Sequence, residues 1–403
     1  MKIRKGIVEE VIRSSSLIEA LYIFFNNKDE LKDYKFIFSK DEGCNLPESI
    51  RQRQFKNGAG IFNVFLSNKI IVLDSKAVDE MINCGTTNYT IDCSLSLDTM
   101  IVSYLETYLE GREVPPDFKE IFKFLSQENI NVDPMPYIIE NIQNLSLDSN
   151  KKKIYKKLKA YEILRTIDIN ELEKHNKISS FLSNFQLDNN VKENIDIMEK
   201  ILNDKESLSY IESNYNLRYC LLLKMITIQL KNRHSSIEEK LDSFLEFCNA
   251  KLGIISTREI IIAYEYFKKD TRLKFFGKVH KGKSNLIKVV RNMAWDLYHI
   301  SEMEREFTKL AYEECDYFIP AFLTYDKRLI EIIKLYKLNA IAVSKDGKEI
   351  YPSYDFSKFM DSIHNSNRIV KYFSNEYRNM REKNICENIE EVISSLEKEL
   401  DEI

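Results

Sequence analysis

An α/β fold carrying a large, mostly helical subdomain is what this sequence predicts, on three observations. In residues 89–106, Ile91, Cys93, Leu95 and Leu97 alternate with Asp92, Ser94 and Ser96, the period of a half-buried strand. Met100, Ile101, Tyr104, Leu105 and Tyr108 then fall at helical spacing, with Asp98 and Thr99 at the change. Residues 317–343 repeat the pattern as apolar strand, Thr324-Tyr325-Asp326, helix and second apolar strand. That order reads as a βαβ unit and predicts parallel pairing. Between these stretches, residues 158–276 carry helix signal almost without interruption, as in 195–202, 217–230, 237–248 and 258–267.

In chain order, residues 1–88 read as a mixed α/β extension. Ile7, Val11, Ile12, Ile18 and Leu21 suit a helix, residues 34–38 and 70–73 suit short strands, and residues 56–60 (KNGAG) suit a loop. Asp74 follows the second of those strands and precedes a helix over 75–84 that Gly85 stops. Asp74 therefore reads as a helix N-cap, with a site role subordinate to that. Residues 89–145 form the first half of the core: the strand, the helix from Asp98 to Gly111, a Pro115-Pro116 turn, a short helix over 118–125, and a last helix holding Glu140 among Ile138, Ile139 and Ile142. Residues 146–284 form the helical insertion, opening on the basic run of 149–159. Residues 285–350 are the second half of the core. Pro320 inside its first strand suits a sheet edge or a strand start. Residues 351–403 form a helical extension. Ile385, Ile389, Val392, Leu396, Leu400 and Ile403 make an apolar stripe opposite acidic residues, which predicts packing on the helix's own domain or docking to a second copy, an inhibitor or a partner protein.

The chain has 403 residues, a length for two or three domains, and 44% apolar residues, enough for a large core. A net charge of −4 excludes a uniformly basic coat, though not a local basic groove. Seven Cys without a CxxC pair suit reduced, buried thiols in the cytoplasm and exclude a zinc ribbon or a disulfide framework. The N-terminus lacks the uncharged core of a signal peptide, and no apolar run is long enough to span a bilayer. Five His, none paired at i, i+4, direct any metal site to carboxylates, hence to Mg2+ or Mn2+.

Four acids stand out: Asp98 and Asp326 at strand ends, Asp296 within the helix of 286–300, and Glu140. In an open α/β sheet, ligands bind outside the carboxyl ends of the strands, where these Asp residues fall. Clustered carboxylates repel, so a shared site calls for a cation. Two cations about 4 Å apart would activate a water and stabilise the leaving oxygen of a phosphodiester, with no protein nucleophile. Asp98 taken alone also suits a plain N-cap. Lys278, Lys281, Lys283, Lys288 and Arg291 lead into the Asp296 helix and would steer a phosphate backbone toward the acids.

The order of these motifs resembles the PIN-domain nuclease family: LSLDTMIVSYL with Asp98, PYIIEN with Glu140, RNMAWDLYHI with Asp296 and FLTYDKRL with Asp326. The resemblance covers roughly residues 89–145 and 285–345. It implies an α/β/α sandwich with a parallel sheet and Mg2+- or Mn2+-dependent cleavage of RNA, or of single-stranded DNA, by an endonuclease of the toxin or defence type. Asp98, Glu140, Asp296 and Asp326 would be its catalytic and metal-binding residues, with Thr324 orienting Asp326 or the substrate phosphate. The chain departs from the pattern in the roughly 155 residues between Glu140 and Asp296, which leaves Glu162 and Asp168 as rival second acids. Two other readings compete. One is a non-catalytic helical scaffold on a degenerate PIN-like core. The other is a HEPN-type helical nuclease, a family with Arg and His close together on one helix; here Arg291 and His299 have seven residues between them.

Overall fold

A computed structural model describes residues 2–65, 67–127, 129–308, 315–336 and 338–403. It is mixed α/β, with two sheets and many helices. The strands are β1 (Tyr34–Asn45), β2 (Arg53–Gln54), β3 (Gly60–Asn63), β4 (Lys69–Leu73), β5 (Ile91–Leu97), β6 (Val132–Asp133), β7 (Tyr317–Thr324), β8 (Leu338–Ser344) and β9 (Ile350–Tyr354). The chain divides into two compact units: residues 1–209, 302–327 and 338–353 make the first, and 210–301, 328–337 and 354–403 the second.

The first unit carries both sheets. One runs β2-β3-β7-β5-β6, and its middle is the parallel pair of β5 and β7, in register from Ile91 opposite Tyr317 to Leu97 opposite Leu323. β6 joins β5 in parallel, and β3 joins β7 antiparallel. Every residue of β7 is buried, as a continuous apolar run in a central strand should be. Pro320 thus sits in a central strand and not at an edge, and the register explains how. The Leu323 carbonyl accepts from the Asp98 N–H at 3.1 Å, so residues 319, 321 and 323 turn their backbone groups to β5. Pro320 faces the β3 side, where pairing ends at Ala321, so its missing N–H costs no ladder bond.

The second sheet runs β4-β1-β8-β9. The βαβ reading of 317–343 is corrected here. Its two strands form at the expected places, but β8 lies in this second sheet, antiparallel to β1 with Tyr34 opposite Ser344 and Phe38 opposite Ala340. The small residues Ala340 and Ala342 face the β1 aromatics Phe38 and Phe36, and all four join one apolar cluster with Val8, Val11 and Phe24. Hydrophobic periodicity places a strand but leaves its partner open, and the aromatic face of β1 supplied the better one.

Helices of this unit are α1 (Lys2–Arg13), α2 (Leu17–Asn26), α3 (Lys28–Leu31), α4 (Ser75–Cys84), α5 (Thr99–Leu109), α6 (Phe118–Leu125), α7 (Met135–Asn141), α8 (Asp148–Arg165), α9 (Ile169–His175) and α10 (Asn184–Asn203). α4 is capped as its sequence predicts: the Asp74 carboxylate accepts from Ala77 N–H at 2.8 Å, and Gly85 closes the helix at φ 74°. α5 buries Ile101, Val102 and Leu105. α11 (Lys205–Lys231) carries the chain into the second unit, with α12 (Ile237–Phe247), α13 (Thr257–Lys269), α14 (Leu286–Arg305), α15 (Lys327–Ile333), α16 (Ser357–Ile363), α17 (Asn367–Val370), α18 (Asn375–Lys383) and α19 (Ile389–Asp401). α19 buries Ile393, Leu396 and Leu400, while Ile385 lies before the helix and is exposed.

Candidate active site

The register of β5 on β7 sets Asp98 beside Thr324 at the carboxyl ends of two adjacent parallel strands. Asp98 caps α5 through a bond from Met100 N–H at 3.4 Å, and its other oxygen accepts from the Thr324 hydroxyl at 2.6 Å. That hydroxyl also accepts the Asp326 N–H at 2.9 Å. One fully buried hydroxyl therefore ties both strand-end acids together. Thr99 donates to Glu140 at 2.7 Å and so brings α7 to the start of α5. Asp98, Thr324, Asp326 and Glu140, far apart in the chain, thus share one end of one sheet. All three acids are half-buried.

Three features of this end were not singled out in the sequence. Asp133 ends β6, the third parallel strand, and accepts from Ser94, from Ser96 at 2.9 Å and from Met135 N–H at 3.1 Å. Ser94 and Ser96 are consequently buried, not on a solvated face. A two-residue strand has no periodicity to read; the signal available was an Asp before Pro134. Asp117 is buried and accepts from the Tyr325 hydroxyl and from Asn57 N–H, both at 3.0 Å. It thereby fastens the loop of residues 56–60 to the strand end. In that loop Gly58 has φ 110°, and a Cβ there would meet the Lys327 side chain at 1.7 Å, so the position requires glycine. Burial, then Asp117, raises the Tyr325 phenol above its ordinary range.

The remaining candidates have other surroundings. Asp296 lies half-buried on α14, within the second unit. Lys278, Lys281 and Lys288 are exposed in that unit, and Lys283 is half-exposed. Arg291 pairs with Glu397 of α19 at 2.9 Å and bonds to the Tyr219 hydroxyl, so the acidic C-terminal helix covers one cation of the basic cluster. Glu162 is buried and filled by Arg165 at 2.8 Å, Asn190 at 3.1 Å and Asn194 at 2.8 Å, which suits a structural carboxylate. Asp168 caps α9. His299 is buried and stacked on Trp295. Among the described residues no group of three or more His, Cys, Asp or Glu side chains is gathered that could hold a metal ion. Nor is any helix among them long and apolar enough to cross a membrane. Comparison with protein families, with curated proteins and with solved structures finds no match to this chain.

Proposed function

We propose that this chain is a metal-dependent endonuclease of PIN-like architecture that cleaves RNA, with Asp98 and Asp326 holding Mg2+ or Mn2+ and Glu140 beside them. The observation that carries the reading is the Thr324 hydroxyl, which links Asp98 to the Asp326 backbone at the carboxyl ends of parallel strands. The donor set fits the ion. Carboxylate oxygens are hard ligands, and Mg2+ is commonly held by one or two carboxylates while water and phosphate oxygens complete its octahedron. A pair of acids is enough for that, without a third gathered ligand. When bound, the ion would lower the pKa of a water and offset charge on the phosphate. The chain's own residues fix the geometry. Thr324 orients Asp98, and Thr99, next to it at the start of α5, orients Glu140. Asp296 belongs to the second unit, so its part in the reaction is read by mutation.

The test is incubation with labelled single-stranded RNA and Mn2+. Cleavage by wild type, lost in Asp98→Asn and in Asp326→Asn with folding retained, is expected. Cleavage that survives both changes removes the assignment. Asp296→Asn, assayed alongside, separates a four-acid site from a three-acid one. A second reading, the non-catalytic helical scaffold, is favoured by the lack of three gathered ligands among the described residues. It predicts no cleavage and no rise in melting temperature with Mn2+.

A further inference from the structure

The basic run on α8 lies in the same unit as Asp98, Glu140 and Asp326, and one of its lysines packs against the helices that carry Asp98 and Glu140. Lys157 is half-buried, and its ammonium donates to Ser103 at 2.9 Å. It also lies 5.4 Å from the centre of the Tyr137 ring. Ser103 stands one turn after Thr99 on α5 and gives its own proton to the Thr99 carbonyl at 2.8 Å. Tyr137 stands one turn before Glu140 on α7. The ammonium therefore sits where α5 and α7 meet, one helical turn behind the hydrogen bond from Thr99 to Glu140.

Its charge balance is unusual. Glu106 attracts it and Lys153 repels it, but among the described residues no carboxylate is in ion-pair contact with it. Burial pulls its pKa below the ordinary lysine value. A partly desolvated ammonium supported by one hydroxyl and one ring, with Glu106 acting only from beyond contact, has room for an anion in direct contact. A phosphodiester lying on the Asp98 and Glu140 end of the sheet would supply it. Lys153, exposed one turn earlier on α8, continues the positive stripe outward. Arg291, in contrast, already has Glu397 as its counter-charge.

We infer that Lys157 is the phosphate-binding cation of this site, contacting a non-bridging oxygen of single-stranded nucleic acid, with Lys153 contacting the next phosphate. The inference rests on the nuclease reading for its substrate class.

The experiment measures binding of a fluorescent ten-nucleotide oligouridylate by anisotropy, in EDTA and in the Asp98→Asn background so that no cleavage intervenes. Salt is varied for the parent, Lys157→Gln, Lys157→Arg and Lys153→Gln. Lys157→Gln is expected to weaken binding about tenfold and to lower the slope of log K against log salt by about 0.7, one single-strand phosphate contact. Lys157→Arg should keep the slope. An unchanged slope in Lys157→Gln, with or without a lower melting temperature, overturns the inference, as does absence of binding by the parent. The two readings separate cleanly. A slope effect in a protein whose wild type cleaves nothing removes the nuclease and keeps the phosphate site. Cleavage with no slope effect does the reverse.

Discussion

Thr324 is the residue on which the site turns. Its hydroxyl has no exposure, one acceptor in Asp98 and one donor in the Asp326 N–H. Thr324→Val keeps the shape and removes both bonds, leaving a strand-end N–H short of its partner. We expect a loss of about 1–3 kcal/mol in urea unfolding, largely restored in Thr324→Ser. Valine as stable as wild type would mean that the two acids are held by other contacts. A second residue makes a pH-dependent claim. Burial opposes ionisation of Glu259, but Arg258, Arg218 and Ser256 outweigh it and hold the carboxyl down to about 2, from 4.5. The folded value lies below the unfolded one. Its stabilisation is therefore complete above about pH 4.5 and is lost as pH falls toward 2. Glu259→Gln removes the buried charge that pairs with Arg218 and Arg258, a cost of about 3–5 kcal/mol at pH 7. The gap between wild type and Glu259→Gln in urea unfolding should narrow from pH 6 to pH 3. A constant gap would detach Glu259 ionisation from folding.

Among elements, α4 offers the sharpest check on how the first unit is joined. Asp74 caps it, and the same carboxylate accepts from the buried Tyr317 hydroxyl of β7 at 2.7 Å. Asp74→Ala should cost about 2 kcal/mol or more, above an ordinary N-cap, because Tyr317 loses its acceptor as well. Asp74→Asn, whose one carbonyl oxygen can take the Ala77 N–H while its amide N–H donates to the Tyr317 oxygen, should recover most of it. A loss no larger than about 0.5 kcal/mol would reduce Asp74 to a surface cap. Much of this local order was legible in the sequence. The change of period at Asp98, the cap at Asp74 with its stop at Gly85, and the helix of 118–125 all rest on chemistry within a few residues. What was not legible depends on partners distant in the chain. β8 has the composition of a strand, but its pairing to β1 was decided by Phe36 and Phe38, some 300 residues earlier. Ser94 and Ser96 read as a solvated face because Asp133, which buries them, stands on a strand too short to show a period. Asp98 and Asp326 stood out because each falls where a strand pattern gives way to a helical one. Lys157 was visible only as one lysine in a run, since its half-burial comes from α5 and α7.

At the scale of the whole molecule, the two units are not two stretches of chain. They are assembled from six segments, and the chain passes between them at five junctions. Residues 1–209 contain most of the first unit by length, yet they lack β7, β8 and β9. β7 is the central strand of the five-stranded sheet and joins β3 to β5. Without it, β2 and β3 lose their connection to β5 and β6, and Leu95 and Leu97 lose their in-register neighbours Ala321 and Leu323. Without β8, β9 is cut off from β1. Isolated two-stranded pieces are marginal in water, and a sheet edge opened in mid-core invites association. A fragment of residues 1–209 is therefore expected to retain helix by circular dichroism, to lose dispersed methyl resonances, and to aggregate. Adding residues 302–353 through a short flexible linker in place of 210–301 should restore a cooperative transition, since β7 and β8, which join the remaining strands, return. A fragment 1–209 that melts cooperatively as a monomer would show that β7 is dispensable. Placing Asp326 beside Asp98 would then no longer be a consequence of folding the first unit, and the site would have to be reconsidered from that point.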